Sequence, residues 1–455
     1  MMKDPLVTIY ITNYNYGKYI RQSIESVLSQ TEQDFELLII DDGSVDNSRE
    51  IIEEYRGNPK ISIIYQKNKG LNITNNIAMR ASHGKYLMRL DADDFLEPEA
   101  VEVMSAVLEQ DDELGLVFPD YYYVDAGGEK IGEERRHNFE KEVSLYDQPA
   151  HGACTMIRLS FLKELGGYNE SFTCQDGYDL WIKFIMHYKV NNVGRPLFSY
   201  RRHGNNLTTN EEKILSTRKK IKELFVEQHL RTLPTLAVIP VRNTFIREVN
   251  WPLYQIDGKS VLERKVAECS RSKRIKSVVV SSSDREILSH CQEWSQRYEN
   301  LHVIERPRTF AQTNESLTKT IEQAVSYAQD LSTSLEAVMS ISLEYPFVAS
   351  DVMDDAINTL VLFDSDSVLS VRPDNRTYYQ HTGHSLHPIL DQDKFTKLER
   401  EALYKGAGGI VASTLDNFFK HQRLASGKIS HVVVDQKTAF GVFGELDLKI
   451  VNALL

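Results

Sequence analysis

The stretch GKYLMRLDADDFLEP, residues 84–98, joins two patterns that conflict. Tyr86, Leu87, Met88 and Leu90, with Arg89 among them, read as a strand. Asp91, Asp93 and Asp94 then crowd three carboxylates at its end. Each raises the free energy of ionising its neighbours, so the cluster is costly unless something positive sits among it. A divalent metal is the obvious candidate.

Outward from this stretch, apolar runs alternate with helical periodicity. Residues 6–11, 35–40, 61–65, 85–90 and 114–118 read as strands, and a helix runs through Ile20, Ile24, Val27 and Leu28. The alternation predicts an α/β layer around a mainly parallel sheet, in which ligands sit at the carboxyl ends of strands. Such a sheet would bring Asp41 and Asp42, Asp91 and Asp93, and Asp176 together. An acidic chain also carries D-x-D by chance, as at Asp364 and Asp366, but that pair precedes a strand instead of following one.

After a charged helical stretch the pattern restarts, with strands expected at 235–240, 276–283, 301–305, 336–342 and 366–371. The expected architecture is therefore two Rossmann-like α/β domains, 1–210 and 234–455, joined by a helical linker over 211–233. The linker carries Arg218, Lys219, Lys220 and Lys222 opposite Ile214, Ile221, Leu224 and Phe225. This reads as a helix packed between domains with a solvated basic face, the alternative being a patch for peripheral membrane association.

Composition bounds the function. The chain has 455 residues, 41% of them apolar and 26% charged, as in soluble globular proteins with two or three domains. A formal charge of -12 argues against general nucleic-acid binding, which needs a basic face. The four cysteines show no C-x-x-C spacing, so neither a zinc site nor a disulfide framework is expected, and reduced thiols in the cytoplasm fit. No apolar run reaches the roughly 18 residues of a membrane span.

Four segments carry a specific resemblance. Residues 7–48 contain T-N-Y-N, a helix followed by S-Q-T and a strand running into D-D-G-S; residues 68–94 end in D-A-D-D; residues 164–184 contain Q-D-G-Y-D; and residues 197–208 read LFSYRRHGNNLT. Together they resemble family 2 glycosyltransferases of GT-A fold. The resemblance implies that Thr12 and Tyr14 line the nucleotide base, that Asp42 hydrogen-bonds it, that Asp91 lies near the ribose and that Asp93 binds Mg2+ or Mn2+. It implies Asp176 as the catalytic base, with Asp179 as the fallback because family members commonly read E-D where this chain has Gln175 and Asp176. His203 would touch the diphosphate or the metal. Blander roles stay open: Asp42 as a turn residue, Asp176 as a helix N-cap, His203 as a structural histidine.

The implied reaction moves a sugar from a nucleoside-diphosphate donor, favoured as a UDP-sugar, to a hydroxyl of a glycan, a lipid-linked carrier or a protein, with inversion. Bacterial surface-glycan synthesis at the inner face of the membrane is what the resemblance suggests.

Residues 234–455 resemble cytidylyltransferases that activate acidic sugars, through LAVIPVR (236–242), DSVLSVRP (366–373) and EREALYKGAGGIV (399–411) among others. Arg242 is the residue this likeness assigns to a nucleotide site. Two departures follow. The family's glycine-rich phosphate loop is replaced by NTFIREVNWP from Asn243, and Gly441 and Phe443 fall where a metal-binding carboxylate pair belongs. The expectation is a catalytically degenerate domain used for homo-oligomer assembly or partner binding, with a bifunctional enzyme that also makes a CMP-activated sugar as the alternative.

Overall fold

The computed structural model describes residues 4–137, 142–146, 149–203, 211–311, 315–331, 334–374, 379–381, 385–388 and 403–454. The end of the RRHGNN motif and the start of EREALYKGAGGIV lie outside the described residues. The chain divides into two compact units, Met1–Arg218 and Lys219–Leu455.

The first unit runs β1 (Val7–Asn13), α1 (Ile20–Leu28), β2 (Phe35–Asp41), α2 (Ser48–Glu53), β3 (Ile61–Tyr65), α3 (Leu71–Ala81), β4 (Tyr86–Asp91), β5 (Phe95–Leu96) and α4 (Ala100–Gln110). It continues with β6 (Leu114–Val124), β7 (Lys130–Glu134), β8 (Met156–Arg158), α5 (Leu159–Glu164), α6 (Asp176–His187) and β9 (Lys189–Arg201). Successive side chains of a strand point to opposite faces, and β1 uses both. Val7, Ile9 and Ile11 join a core with Ile20, Ile24 and Val27 of α1 and Val101, Met104 and Leu108 of α4. Tyr10 joins the opposite core with Ala78 of α3, Leu162 of α5, and Leu180, Trp181 and Phe184 of α6.

The sheet order is β3-β2-β1-β4-β8-β6-β9-β5, with β7 paired to β6. Strands β1 to β4 are parallel, as expected. Beyond β4 the sheet is mixed, because the three-residue β8 enters antiparallel to both β4 and β6. So short a strand has too little length to show a periodicity, so the sequence pattern did not reveal it. Chain order reverses at β1, and the register sets Thr12 beside Asp91 and Asn13 beside Asp41. The open crevice of the fold thus falls at the carboxyl ends of β1, β2 and β4.

The second unit repeats this order. Its parallel strands Leu301–Glu305, Ile275–Ser282, Thr235–Val241 and Ala337–Ile341 stand third, second, first and fourth, followed by the antiparallel Leu403–Thr414. The division between units falls inside α7 (Glu211–His229). Its basic residues are not all solvated: within the second unit Lys222 is buried, 2.7 Å from Asp355, and Lys219 pairs with Asp351 at 2.8 Å. A lysine at an interior position needs such a partner, since an unpaired buried charge is costly. All four cysteines are free thiols. Among the described residues no helix is long and apolar enough to cross a membrane.

Candidate active site

Two turns form the floor at the ends of β1 and β2. Asn13 donates to Asp41 at 2.7 Å and to Ser44 at 3.0 Å, while the Asn15 amide donates to Ser44 and the Asn15 side chain accepts from the Val45 amide, both at 2.8 Å. Asn15 adopts φ 60°, a conformation that asparagine tolerates better than most residues. This docking leaves Tyr14 projecting, 47% exposed. Asp42 is buried and accepts from the Lys69 and Gly70 amides at 2.8 and 2.9 Å and from Gln66 at 2.8 Å. It therefore ties down the loop after β3. A carboxylate offers about four lone-pair sites, so one more donor can still be accepted.

Arg89 sits among the carboxylates. Alternation along β4 puts Leu87, Arg89 and Asp91 on one face, and the Arg89 side chain is 6% exposed. Its Nε lies 3.0 Å from Asp91, its Nη2 donates to the same carboxylate at 3.2 Å, and its Nη1 donates to Asp176. Burial opposes the guanidinium charge, but Asp176 and Asp91 outweigh it and hold the group protonated. The positive group expected within the acidic cluster is thus, in part, a residue of the same strand. Thr12 donates to Asp91 at 3.1 Å, and so serves that carboxylate, whatever else it lines.

Asp176 is the first residue of α6 and makes no capping hydrogen bond; Gln175, at φ 63°, is the N-cap. The capping role weighed for Asp176 is therefore not realised. Asn75 donates to it at 3.4 Å, and Tyr10 donates to Asn75 at 3.2 Å. Asp179, one turn on, pairs with Lys183 at 2.7 Å and does not share Arg89. Nearby, burial and then Arg136 and Arg89 lower the His151 imidazole to about 3, so it stands neutral beside Tyr121 and Tyr200.

Asp93 and His203 form the second focus, with His203 Nε2 2.8 Å from Asp93 Oδ2. Burial, and then the Asp91 charge, raise Asp93 above the usual carboxylate range. Asp94 is raised further by burial, Asp93 and Asp91, and its Oδ2 is buried without a hydrogen-bond partner among the described residues. Among the described residues no three His, Cys, Asp or Glu side chains gather into a complete cation cage. The donor set still suits Mg2+ or Mn2+, which are held by one or two protein groups plus substrate phosphates and water. Among the described residues, Asp93 and His203 are placed together where they would serve as such groups.

Sequence reasoning did not single out Tyr16 and Tyr19, whose rings lie 5.6 Å from that of His203, or Arg201. Arg89 was visible as a charge inside an apolar strand, but its partner Asp176 is distant in sequence. In the second unit Arg242 is exposed at the end of Thr235–Val241. The segment after it folds into a two-stranded hairpin, Phe245–Ile246 with Val249–Asn250.

The Glycosyl transferase family 2 pattern matches residues 8–166. An uncharacterized glycosyltransferase of Methanocaldococcus jannaschii is 32% identical over 230 residues, covering 49% of this chain and 77% of that protein. Chondroitin synthase of Escherichia coli is 34% identical over 207 residues, covering 45% of this chain and 30% of the synthase. Hyaluronan synthase of Pasteurella multocida is 32% identical over 228 residues, 50% of this chain and 23% of that one. The chain thus spans less than a third of either synthase. The crystal structure of S. aureus TarS 1-349 in complex with UDP-GlcNAc covers 50% of this chain and 68% of its own at 18% identity, with a TM-score of 0.43.

Arg89→Met should leave the buried Asp176 and the half-buried Asp91 without their cation. The expected loss is about 3–5 kcal/mol of folding free energy, the usual cost of removing one partner of a buried pair. Urea denaturation would measure it, and an unchanged midpoint would mean that solvent, not Arg89, neutralises the pair.

Proposed function

The chain belongs to glycosyl transferase family 2, and on that premise we propose that its first unit moves a sugar from a UDP-sugar to an acceptor hydroxyl with inversion, assisted by Mg2+ or Mn2+. The observation that carries this reading is the pairing of Asp93 with His203 at the end of β4, beside the row Asp91, Arg89, Asp176. In this mechanism Tyr14 stacks on the base and Asp42 accepts its ring N–H through the remaining lone pair. Asp91, oriented by Thr12 and Arg89, accepts from the ribose. Asp93 and His203 are the residues that would hold the cation. The chemistry that such a cation supplies when bound is stabilisation of charge on the departing diphosphate. Asp176, aimed by Arg89 and Asn75, takes the proton of the attacking hydroxyl as general base. Because attack is a single displacement, the anomeric centre inverts. The role in surface-glycan synthesis belongs to the same reading.

For the second unit we infer a cytidylyltransferase-like fold that assembles copies of the chain and does not catalyse. Three features support this. A hairpin stands in place of a glycine-rich phosphate loop, and its Arg247 is engaged with Glu445 at 2.5 Å. Gly441 and Phe443 offer no metal ligand, and the Phe443 ring packs edge-on against Tyr345. Finally, Leu446, Ile450 and Leu454 recur at i, i+4 and i+8 along Glu445–Leu454 and are exposed, as is Phe443 just before it, with Phe443 67% and Leu446 70% exposed. Exposed apolar side chains repeating along one helix face favour self-association.

Asp93→Asn should abolish Mn2+-stimulated transfer from UDP-sugars while leaving the circular dichroism spectrum unchanged. Asp364→Asn, at an exposed left-handed position, should have no effect. Full turnover of Asp93→Asn in excess chelator would remove the metal from the mechanism.

Asp176→Asn should keep donor affinity and lower turnover by at least about 100-fold, the scale of a lost general base. If instead Asp179→Asn gives that split and Asp176→Asn does not, the base lies one helical turn further on.

Full-length protein incubated with CTP and Mg2+ should release no pyrophosphate above background and should scatter light as an oligomer that Leu446→Glu dissociates. Pyrophosphate release that Arg242→Ala eliminates would instead make the protein bifunctional.

A further inference from the structure

We propose that Arg201 and Tyr19 are positioning residues that set the geometry of the Asp93–His203 pair. The inference rests on the metal-dependent reading above and extends it to residues that touch neither donor nor acceptor.

Arg201 ends β9 and is 1% exposed, among the most deeply buried charged groups of the chain. Its Nε donates to the Asp93 carbonyl at 2.7 Å and its backbone amide donates to Asp94 Oδ1 at 2.9 Å. Nη2 donates to Gln22 of α1 at 2.6 Å, and Nη1 reaches the Asp125 and Ala126 carbonyls at 3.3 and 3.2 Å. One guanidinium thereby joins the carboxylate turn, the first helix and the turn after β6. Two residues later, His203 grips the same aspartate by its side chain. The short segment from Arg201 to His203 therefore holds Asp93 at two points, backbone and carboxylate.

Tyr19 completes the device. Its ring stacks on His203 with centroids 5.6 Å apart and 20° between planes, and the Arg201 guanidinium lies 4.7 Å from its centroid. A stacked ring restricts the imidazole to one orientation, and cation–π attraction adds to the hold on Arg201. Tyr16 borders the imidazole edge-on at 5.6 Å. Groups that orient metal-facing side chains typically govern affinity nearly as strongly as the ligands themselves.

The test is calorimetric titration of the full chain with UDP, in Mn2+ and in EDTA, so that it needs neither sugar nor turnover. Tyr19→Leu should lower UDP affinity in Mn2+ by at least about 10-fold and leave affinity in EDTA unchanged, while Tyr19→Phe, which keeps the ring, should restore the wild-type value. Gln22→Ala, at an exposed position of α1, withdraws one acceptor from Arg201 without disturbing the core and should shift the same quantity in the same direction. Equal losses with and without Mn2+ in Tyr19→Leu would overturn the inference, as would wild-type Mn2+ dependence in both Tyr19→Leu and Gln22→Ala. Wild-type affinity that does not depend on Mn2+ would overturn the metal reading itself, and this inference with it.

Discussion

A guanidinium buried between two carboxylates is the constraint around which the first unit is built. Taking Arg89 and Asp176 out of water, and Asp91 partly so, costs several kcal/mol per buried ion, offset only by close geometry and by hydrogen bonds to the remaining polar atoms. The surroundings meet both conditions. Thr12 and Asn75 donate to the carboxylates, and Gly152 lies so close to the guanidinium that a Cβ there would overlap it. The position of α6 follows, because its first residue must reach a strand 87 residues earlier. Strand β4 thereby bears on both sides of the crevice, presenting Asp91 toward one end of Arg89 and holding Asp176 at the other.

The same economy appears in the turns. D-D-G-S, read as a nucleotide-binding signature, does most of its visible work within the protein: Asp41 and Ser44 hold the turn after β1, and Asp42 holds the loop after β3. Gly43, at φ 84°, approaches the Asn68 amide too closely to admit a side chain. A structural and a ligand-facing role are compatible here because Asp42 is left with an unused acceptor site. A turn must be built before it can bind, and the spare acceptor site leaves Asp42 able to serve both purposes.

The two units show how far a shared strand order can part from shared chemistry. Each sheet sets its first strand between the second and the fourth and continues with an antiparallel strand. In the first unit the strand ends carry carboxylates, a buried arginine and a histidine. In the second, the corresponding region is a hairpin and an aromatic pair, Tyr345 with Phe443. Fold is carried by apolar alternation within the strands, whereas function depends on the few residues just past their ends.

Sequence alone was sufficient for the alternation of strands and helices, the restart of the pattern near residue 235 and the gathering of aspartates at strand ends, because periodicity and strand-end position are local properties. It also identified Asp93 and His203 as separate candidates. Their pairing could not be read, since they lie 110 positions apart and neither neighbourhood names the other. Nor could the cation in the acidic cluster: Arg89 was plainly inside a strand, but whether its charge met solvent or Asp176 depended on where α6 packs. Lys222 is the same case, a basic helix residue that tertiary packing turned inward to Asp355. Local sequence determines which way a chain is able to fold and which groups it carries; only three-dimensional packing decides which charges lose their water, and therefore which of them must find one another.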